Sequence, residues 1–266
     1  MTSIAVTIAG SDSGGGAGIQ ADLKTFSALG VYGASVITAL TAQNTKEVSA
    51  IHNVPADFVK EQINSVFSDL EVNAVKIGML SSAEIINVVS DGLIRWNQKL
   101  VVLDPVMVAT SGDRLIESDA IKSIIDQLFP IAKIITPNLA EAATLLDETI
   151  AETEEEMIKQ GHALISLGAQ CVLMKGGHGN GTESVDLFIS TKEVIRFSAT
   201  RINTKNTHGT GCTLSSAITA GLSKGLPMEQ AIQNAKTYIT GALKSSNELK
   251  IGHGSGPVHH FYDQWK

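Results

Sequence analysis

Five short, nearly unbroken apolar runs recur along the 266-residue chain: Ile4–Ile8, Ala74–Met79, Leu100–Val106, Ala132–Pro137 and Gln170–Lys175. A strand with one solvated face alternates apolar and polar residues. A strand buried on both faces does not, and these runs have that second pattern. Between them lie longer amphipathic stretches at Ile19–Leu29, from Pro55 to about Leu70, at Ala83–Trp96, near Ala120–Leu128 and over about Leu139–Leu167. Strands alternating with helices specify an α/β fold, a mostly parallel sheet covered by helices on both sides. Gly33–Gln43 is a further β-rich run, and Val48–Val54 suits another short strand. Between Glu183 and Ile202 the pattern changes to two or three alternating strands, expected to be antiparallel at the sheet edge. Helices follow Gly211 and Pro227, the last one running to about Ser245. Neither a repeat nor a linker interrupts the chain, so one domain over residues 1–266 is the simplest organisation.

The bulk numbers narrow the partners. A formal net charge of −7 disfavours nucleic acid or an anionic membrane, so any phosphate site must be local. Two cysteines, Cys171 and Cys212, cannot build a disulfide framework. Thr2-Ser3 follows Met1 without a basic leader, and no apolar run reaches membrane-spanning length. A reducing cytoplasm is the expected location.

Chemistry concentrates in Asn206-Thr207-His208-Gly209-Thr210-Gly211-Cys212-Thr213. Closely spaced glycines allow a tight turn. The apolar run beyond them reads as a helix whose first N–H groups lack partners and attract anions. Cys212 falls in the first turn, where the helix field favours a thiolate. A glycine turn before a core helix with a small buried cysteine explains the same letters about equally well. The spelling is not a P-loop, because no Gly-Lys-Ser or Gly-Lys-Thr occurs. Nor is it G-x-G-x-x-G, since the third position is Leu214 here and Ile19 after Gly14 and Gly16. A second glycine-rich loop, Gly10 to Gly18, follows the first strand and reads as a binding loop.

Ligands of open α/β sheets bind beyond the carboxyl ends of the strands. Those positions hold Gly10, Gln43, Met79, Asp104-Pro105, Asn138 with Glu141, and Lys175-Gly176-Gly177. Taken singly, each has a plain structural explanation; Asn138 and Glu141, for instance, spell a capping box. Their joint placement at successive strand ends favours a site.

Several blocks carry a resemblance across nearly the whole chain: Ala9-Gly10-Ser11-Asp12-Ser13-Gly14-Gly15-Gly16-Ala17-Gly18, Thr38 to Asn44, Lys76-Ile77-Gly78-Met79, Asp104-Pro105-Val106-Met107, Thr136-Pro137-Asn138-Leu139-Ala140-Glu141 and Gly209-Thr210-Gly211-Cys212. The chain resembles the ribokinase superfamily and, within it, the hydroxymethylpyrimidine/phosphomethylpyrimidine kinases of thiamin synthesis. The resemblance implies a ribokinase-like three-layer α/β/α sandwich with antiparallel edge strands. It implies ATP-dependent phosphorylation of 4-amino-5-hydroxymethyl-2-methylpyrimidine to the monophosphate and then the diphosphate. By the same resemblance, Cys212 is the base and the backbone of Gly209, Thr210 and Gly211 steadies the moving phosphoryl group. Gln43, Gly10, Met79, Ala17, Val106 and Asp22 line the pyrimidine. Lys175 and Thr207 face the nucleotide, and Asn138 and Glu141 hold Mg²⁺, with Asp104 sharing that role. A homodimer is also implied. The alternatives are a pyridoxal/pyridoxine kinase and a silent pyrimidine-binding sensor.

Overall fold

The structure is a computed structural model that describes residues 2–107, 120–177 and 181–265. Among the described residues, nine strands form one sheet: β1 (Ile4–Asp12), β2 (Tyr32–Gln43), β3 (Val48–Asn53), β4 (Ala74–Ile77), β5 (Val101–Leu103), β6 (Ile134–Ile135), β7 (Val172–Lys175), β8 (Glu183–Ile189) and β9 (Val194–Thr200). Their spatial order is β3-β2-β1-β4-β5-β6-β7-β8-β9. The pairs from β2 through β7 are parallel, as the unbroken apolar runs require. β8 and β9 form the expected antiparallel edge. β3 adds a second antiparallel edge, hydrogen-bonded to β2.

The helices are α1 (Gly18–Ala28), α2 (Ala56–Asp69), α3 (Ala83–Arg95), α4 (Ala120–Ser123), α5 (Leu139–Leu146), α6 (Glu154–Ser166), α7 (Thr210–Ser223) and α8 (Met228–Lys244). α4 runs into a five-residue π-helical stretch over Ile124–Leu128. The helices expected over about 139–167 are α5 and α6, separated where Asp147 turns left-handed, φ +53°, and Thr153 caps α6. The loop expected after Val106 falls mainly on residues 108–119, outside the described ones.

Alternation along each strand decides which layer a side chain joins. Val6, Ile8, Val75, Ile77, Val101, Leu103, Ile135, Val172 and Met174 face a core shared with α2 to α6. Ala74, Val102, Ile134 and Leu173 face the opposite core under α7 and α8, while Ala5 meets α1 and α7. This is the α/β/α sandwich anticipated above. Burial of each such aliphatic side chain contributes about 1.5–3 kcal/mol, enough to lock the register. The same alternation sends Thr7, Lys76, Asp104, Thr136 and Lys175 towards the α7 layer, so these polar strand residues are buried beneath one helix.

Candidate active site

Two buried lysine–carboxylate pairs underlie the first turns of α7. Lys76 Nζ lies 2.9 Å from Asp22 Oδ2, and neither side chain is exposed. Thr7 Oγ1 donates to Asp22 Oδ2 at 2.6 Å and Ser216 Oγ donates to Asp22 Oδ1 at 2.6 Å. Lys175 Nζ donates to Asp104 Oδ1 at 2.7 Å, with Thr136 Oγ1 on the same oxygen and Ser215 Oγ donating to Oδ2 at 3.1 Å. Adjacent serines of one helix thus tie it to both pairs. Burial works against ionisation of Asp104, but Lys175 and Lys76 hold its carboxyl below the usual carboxylate range. Burial likewise disfavours the charge on Lys175, and Asp104 and Glu141 outweigh it, keeping the ammonium protonated. Uncompensated, a buried charge costs several kcal/mol, so such pairs mark a place where charge is wanted.

The turn above them has the geometry expected of an anion site. Gly209 is the N-cap of α7 with φ +78°, and a Cβ there would fall 1.9 Å from the Gly16 carbonyl oxygen, so only glycine fits. Among the described residues no side chain caps the helix. A Cβ on Gly211 would lie 3.3 Å from Lys175 Nζ, which places that ammonium beside the helix start. Lysine and orphan amides therefore converge where a phosphoryl group would be stabilised. One expected donor is already engaged: Thr210 N–H donates to Thr207 O at 3.2 Å, and Thr207 O also accepts from Thr210 Oγ1.

Cys212 differs from expectation. It is half-buried, and desolvation pushes its thiol up to about 11 despite Lys76 and an N–H from Gly18, which favour the thiolate. The helix field alone predicted the opposite direction. Burial, with the nearby carboxylates Asp22 and Asp104, decides it. Asp22, expected at the pyrimidine, is fully buried and bonded to Lys76, Thr7 and Ser216, so its oxygens serve this internal network.

The capping box forms: Asn138 Oδ1 accepts Glu141 N–H at 2.9 Å, and Glu141 Oε2 accepts Asn138 N–H at 2.7 Å. Burial, more than the opposing Lys175 at 3.8 Å, raises the Glu141 carboxyl to about 7. Among the described residues no group of three His, Cys, Asp or Glu side chains could hold a metal. Asn138 gives its oxygen to the cap, and Asp104 gives both of its oxygens to Lys175, Thr136 and Ser215. Glu141 Oε1 accepts no hydrogen bond among the described residues. A buried carboxyl whose ionisation burial disfavours, even with Lys175 beside it, suits a cation that brings most of its own oxygens.

The residues expected at the pyrimidine surround the glycine loop, which is shorter than expected because β1 continues through Gly10 to Asp12. A Cβ on Gly10 would meet Met79 Cε at 2.6 Å, so these two predicted residues touch. Gln43 ends β2, exchanges backbone hydrogen bonds with Ser13 Oγ, and its Oε1 accepts from Thr41 Oγ1 at 3.0 Å. Ala17 N–H donates to Asp12 Oδ2 at 2.8 Å. Val106 lies two residues past Asp104, its N–H bonded to the Asp104 carbonyl.

With this geometry in hand, comparison with known proteins is decisive. The family model for phosphomethylpyrimidine kinase matches residues 12–259. The chain belongs to the phosphomethylpyrimidine kinase family. It is 57% identical, over the full length of both chains, to the hydroxymethylpyrimidine/phosphomethylpyrimidine kinase of Rhizobium meliloti (strain 1021). Among solved structures, phosphomethylpyrimidine kinase from Clostridium difficile 630 is 46% identical and superposes with a TM-score of 0.80, covering 91% of this chain and 99% of that one. Pyridoxal kinase from Staphylococcus aureus in complex with AMP-PCP and pyridoxal is 32% identical with a TM-score of 0.91, covering 99% and 95%. The protein is therefore a ribokinase-like phosphotransferase of the vitamin kinase branch, with ATP as co-substrate.

Some contacts around the start of α7 were not apparent from spelling. Lys76 sits in an apolar run where strand alternation alone placed it on one face of the sheet, with no indication of Asp22, 54 positions away. Asp12 and His208 stand inside glycine-rich stretches, yet their side chains meet at 2.8 Å. A lone charged or imidazole side chain beside glycines was the available signal.

Proposed function

We infer that this kinase transfers the γ-phosphoryl group of ATP to the hydroxymethyl oxygen of 4-amino-5-hydroxymethyl-2-methylpyrimidine, and then a second one to the monophosphate, in thiamin biosynthesis. The observation that carries the reading is the convergence of Lys175, Cys212 and the α7 N-terminus at one point of the strand ends, in a chain so similar to a kinase of that name. In the first step the substrate oxygen attacks phosphorus, its proton passes to the Cys212 thiolate, and the bond to the β-phosphate oxygen breaks to release ADP. The amides of Gly209 and Gly211 and the Lys175 ammonium stabilise the equatorial oxygens. At neutral pH the thiolate is the minority form in the free protein, so this step accelerates with rising pH. In the second step the attacking phosphate oxygen is already anionic, and Cys212 has no proton to accept.

Gln43, Gly10, Met79, Ala17 and Val106 form the pyrimidine side, and Thr207 flanks the nucleotide. Glu141, with Asn138 and Asp104, would hold Mg²⁺, which would supply charge neutralisation for the nucleotide phosphates. The whole chain acts as one kinase domain, in the cytoplasm, as a homodimer. Among the described residues no helix is long and apolar enough to cross a membrane.

Pyridoxal phosphorylation is a second reading, favoured by the close superposition on a pyridoxal kinase. ADP release measured with the pyrimidine alcohol, its monophosphate and pyridoxal decides between them. Both pyrimidines should turn over faster than pyridoxal; the reverse order overturns the assignment. Omission of Mg²⁺ should abolish turnover.

A further inference from the structure

We propose that His208 is a positioning residue, latching the glycine loop over residues 13–17 to the turn that starts α7 by way of Asp12. Asp12, the last residue of β1, is 3% exposed. Its Oδ1 accepts Gly14 N–H at 2.8 Å, and its Oδ2 accepts Gly16 N–H at 2.9 Å and Ala17 N–H at 2.8 Å. His208 Nε2 reaches the same Oδ2 at 2.8 Å. Burial works to raise the Asp12 carboxyl, yet the bonds from His208 and the loop amides hold it below the usual range, so the acceptor is a carboxylate. Bonds to an ionised acceptor are the strong ones.

The contact is close on both sides. A Cβ on Gly16 would fall 2.3 Å from His208 Cδ2, and one on Gly209 would fall 1.9 Å from Gly16 O, so loop and turn backbones touch without intervening side chains. His208 is itself anchored from behind, its N–H donating to Gly256 O at 3.0 Å. The loop begins at Ser13, bonded to the Gln43 backbone, and gives way to Gly18, whose N–H points at the Cys212 sulfur. One latched loop therefore spans the pyrimidine-reading residue and the base. Displacing it moves acceptor and phosphoryl turn relative to one another, and a misplacement of about 1 Å can lower turnover by about a hundredfold. This role rests on the acceptor assignment given under Proposed function.

Hydrogen exchange on the nucleotide-free protein tests the latch apart from catalysis. In His208→Leu, amides of residues 13–18 should exchange at least about tenfold faster while β4 and β5 keep their protection. kcat/KM for the pyrimidine alcohol should fall about 10- to 100-fold, with KM for ATP changed far less. His208→Gln, whose amide N–H can reach Oδ2, should restore most of both effects. Should His208→Leu not fold, Asp12→Asn provides the same comparison. Unchanged exchange in residues 13–18 overturns the latch. Faster exchange with unaltered pyrimidine kinetics overturns its role in positioning, as does a His208→Gln enzyme no better than His208→Leu. If the wild-type enzyme phosphorylates neither pyrimidine, the acceptor assignment fails, and the exchange result still decides whether His208 holds the loop.

Discussion

Glu141→Gln separates a metal role from a capping role, and its stability effect can be worked out in advance. Burial is the main cause that lifts the Glu141 carboxyl from an ordinary 4.5 to about 7, with Lys175 opposing and Asp104 assisting. Between those pH values the unfolded chain has lost a proton that the folded protein keeps, so stability contributed at low pH drains away as pH rises through the window. The whole rise amounts to about 3 kcal/mol, an upper figure because the site relaxes. Glutamine cannot ionise, yet its amide oxygen can still accept the Asn138 N–H that Glu141 Oε2 accepts at 2.7 Å. At pH 4.5 the variant should stay within about 1 kcal/mol of wild type, the worth of a cap. At pH 8 it should have gained about 2–3 kcal/mol relative to wild type. Urea unfolding of the nucleotide-free proteins at both pH values measures this, and titrating groups that do not interact with Glu141 cancel in the difference. Parallel pH profiles for the two proteins would refute the reasoning. In the same preparation ADP release should need more Mg²⁺ and run slower, because the neutral amide cannot balance a cation. A variant stabilised at pH 8 with unchanged Mg²⁺ dependence would leave Glu141 with the cap alone.

Cys212→Ser should lower phosphorylation of the alcohol by about two to four orders of magnitude and that of the monophosphate far less; equal losses would remove Cys212 as the base. Alkylation of Cys212 in the free enzyme should climb with pH well past 9 and be slowed by substrate, and a plateau near neutrality would contradict the raised thiol. Lys76→Met leaves Asp22 buried and unpaired and should destabilise the fold by about 3–5 kcal/mol, whereas Lys76→Met with Asp22→Leu should recover most of that in a thermal melt. An additive double variant would mean that the pair is not coupled. Gln43→Ala should raise KM for the pyrimidine and spare that for ATP, and a lowered melting temperature with unchanged KM would mark Gln43 as structural.

The order of strands and helices, the two-sided burial of the parallel strands and the antiparallel edge near Glu183 were all legible in the sequence, because period and apolar continuity report how many faces of an element are covered. So were the glycine turn before α7 and the cluster of polar residues at strand ends, because turns and strand ends are local. The direction of β3 was not legible, since a short exposed edge strand pairs either way until β2 lies beside it. The protonation of Cys212 was not legible either: local sequence supplied the helix field, and burial in the folded chain with carboxylates distant in sequence reversed its effect. The charge partners were decided by tertiary structure alone. Lys76 meets Asp22 across 54 positions, Lys175 meets Asp104 across 71, and His208 meets Asp12 across 196. Alternation along a strand states which layer a side chain enters, but which carboxylate waits there depends on how helices from elsewhere in the chain pack onto that face.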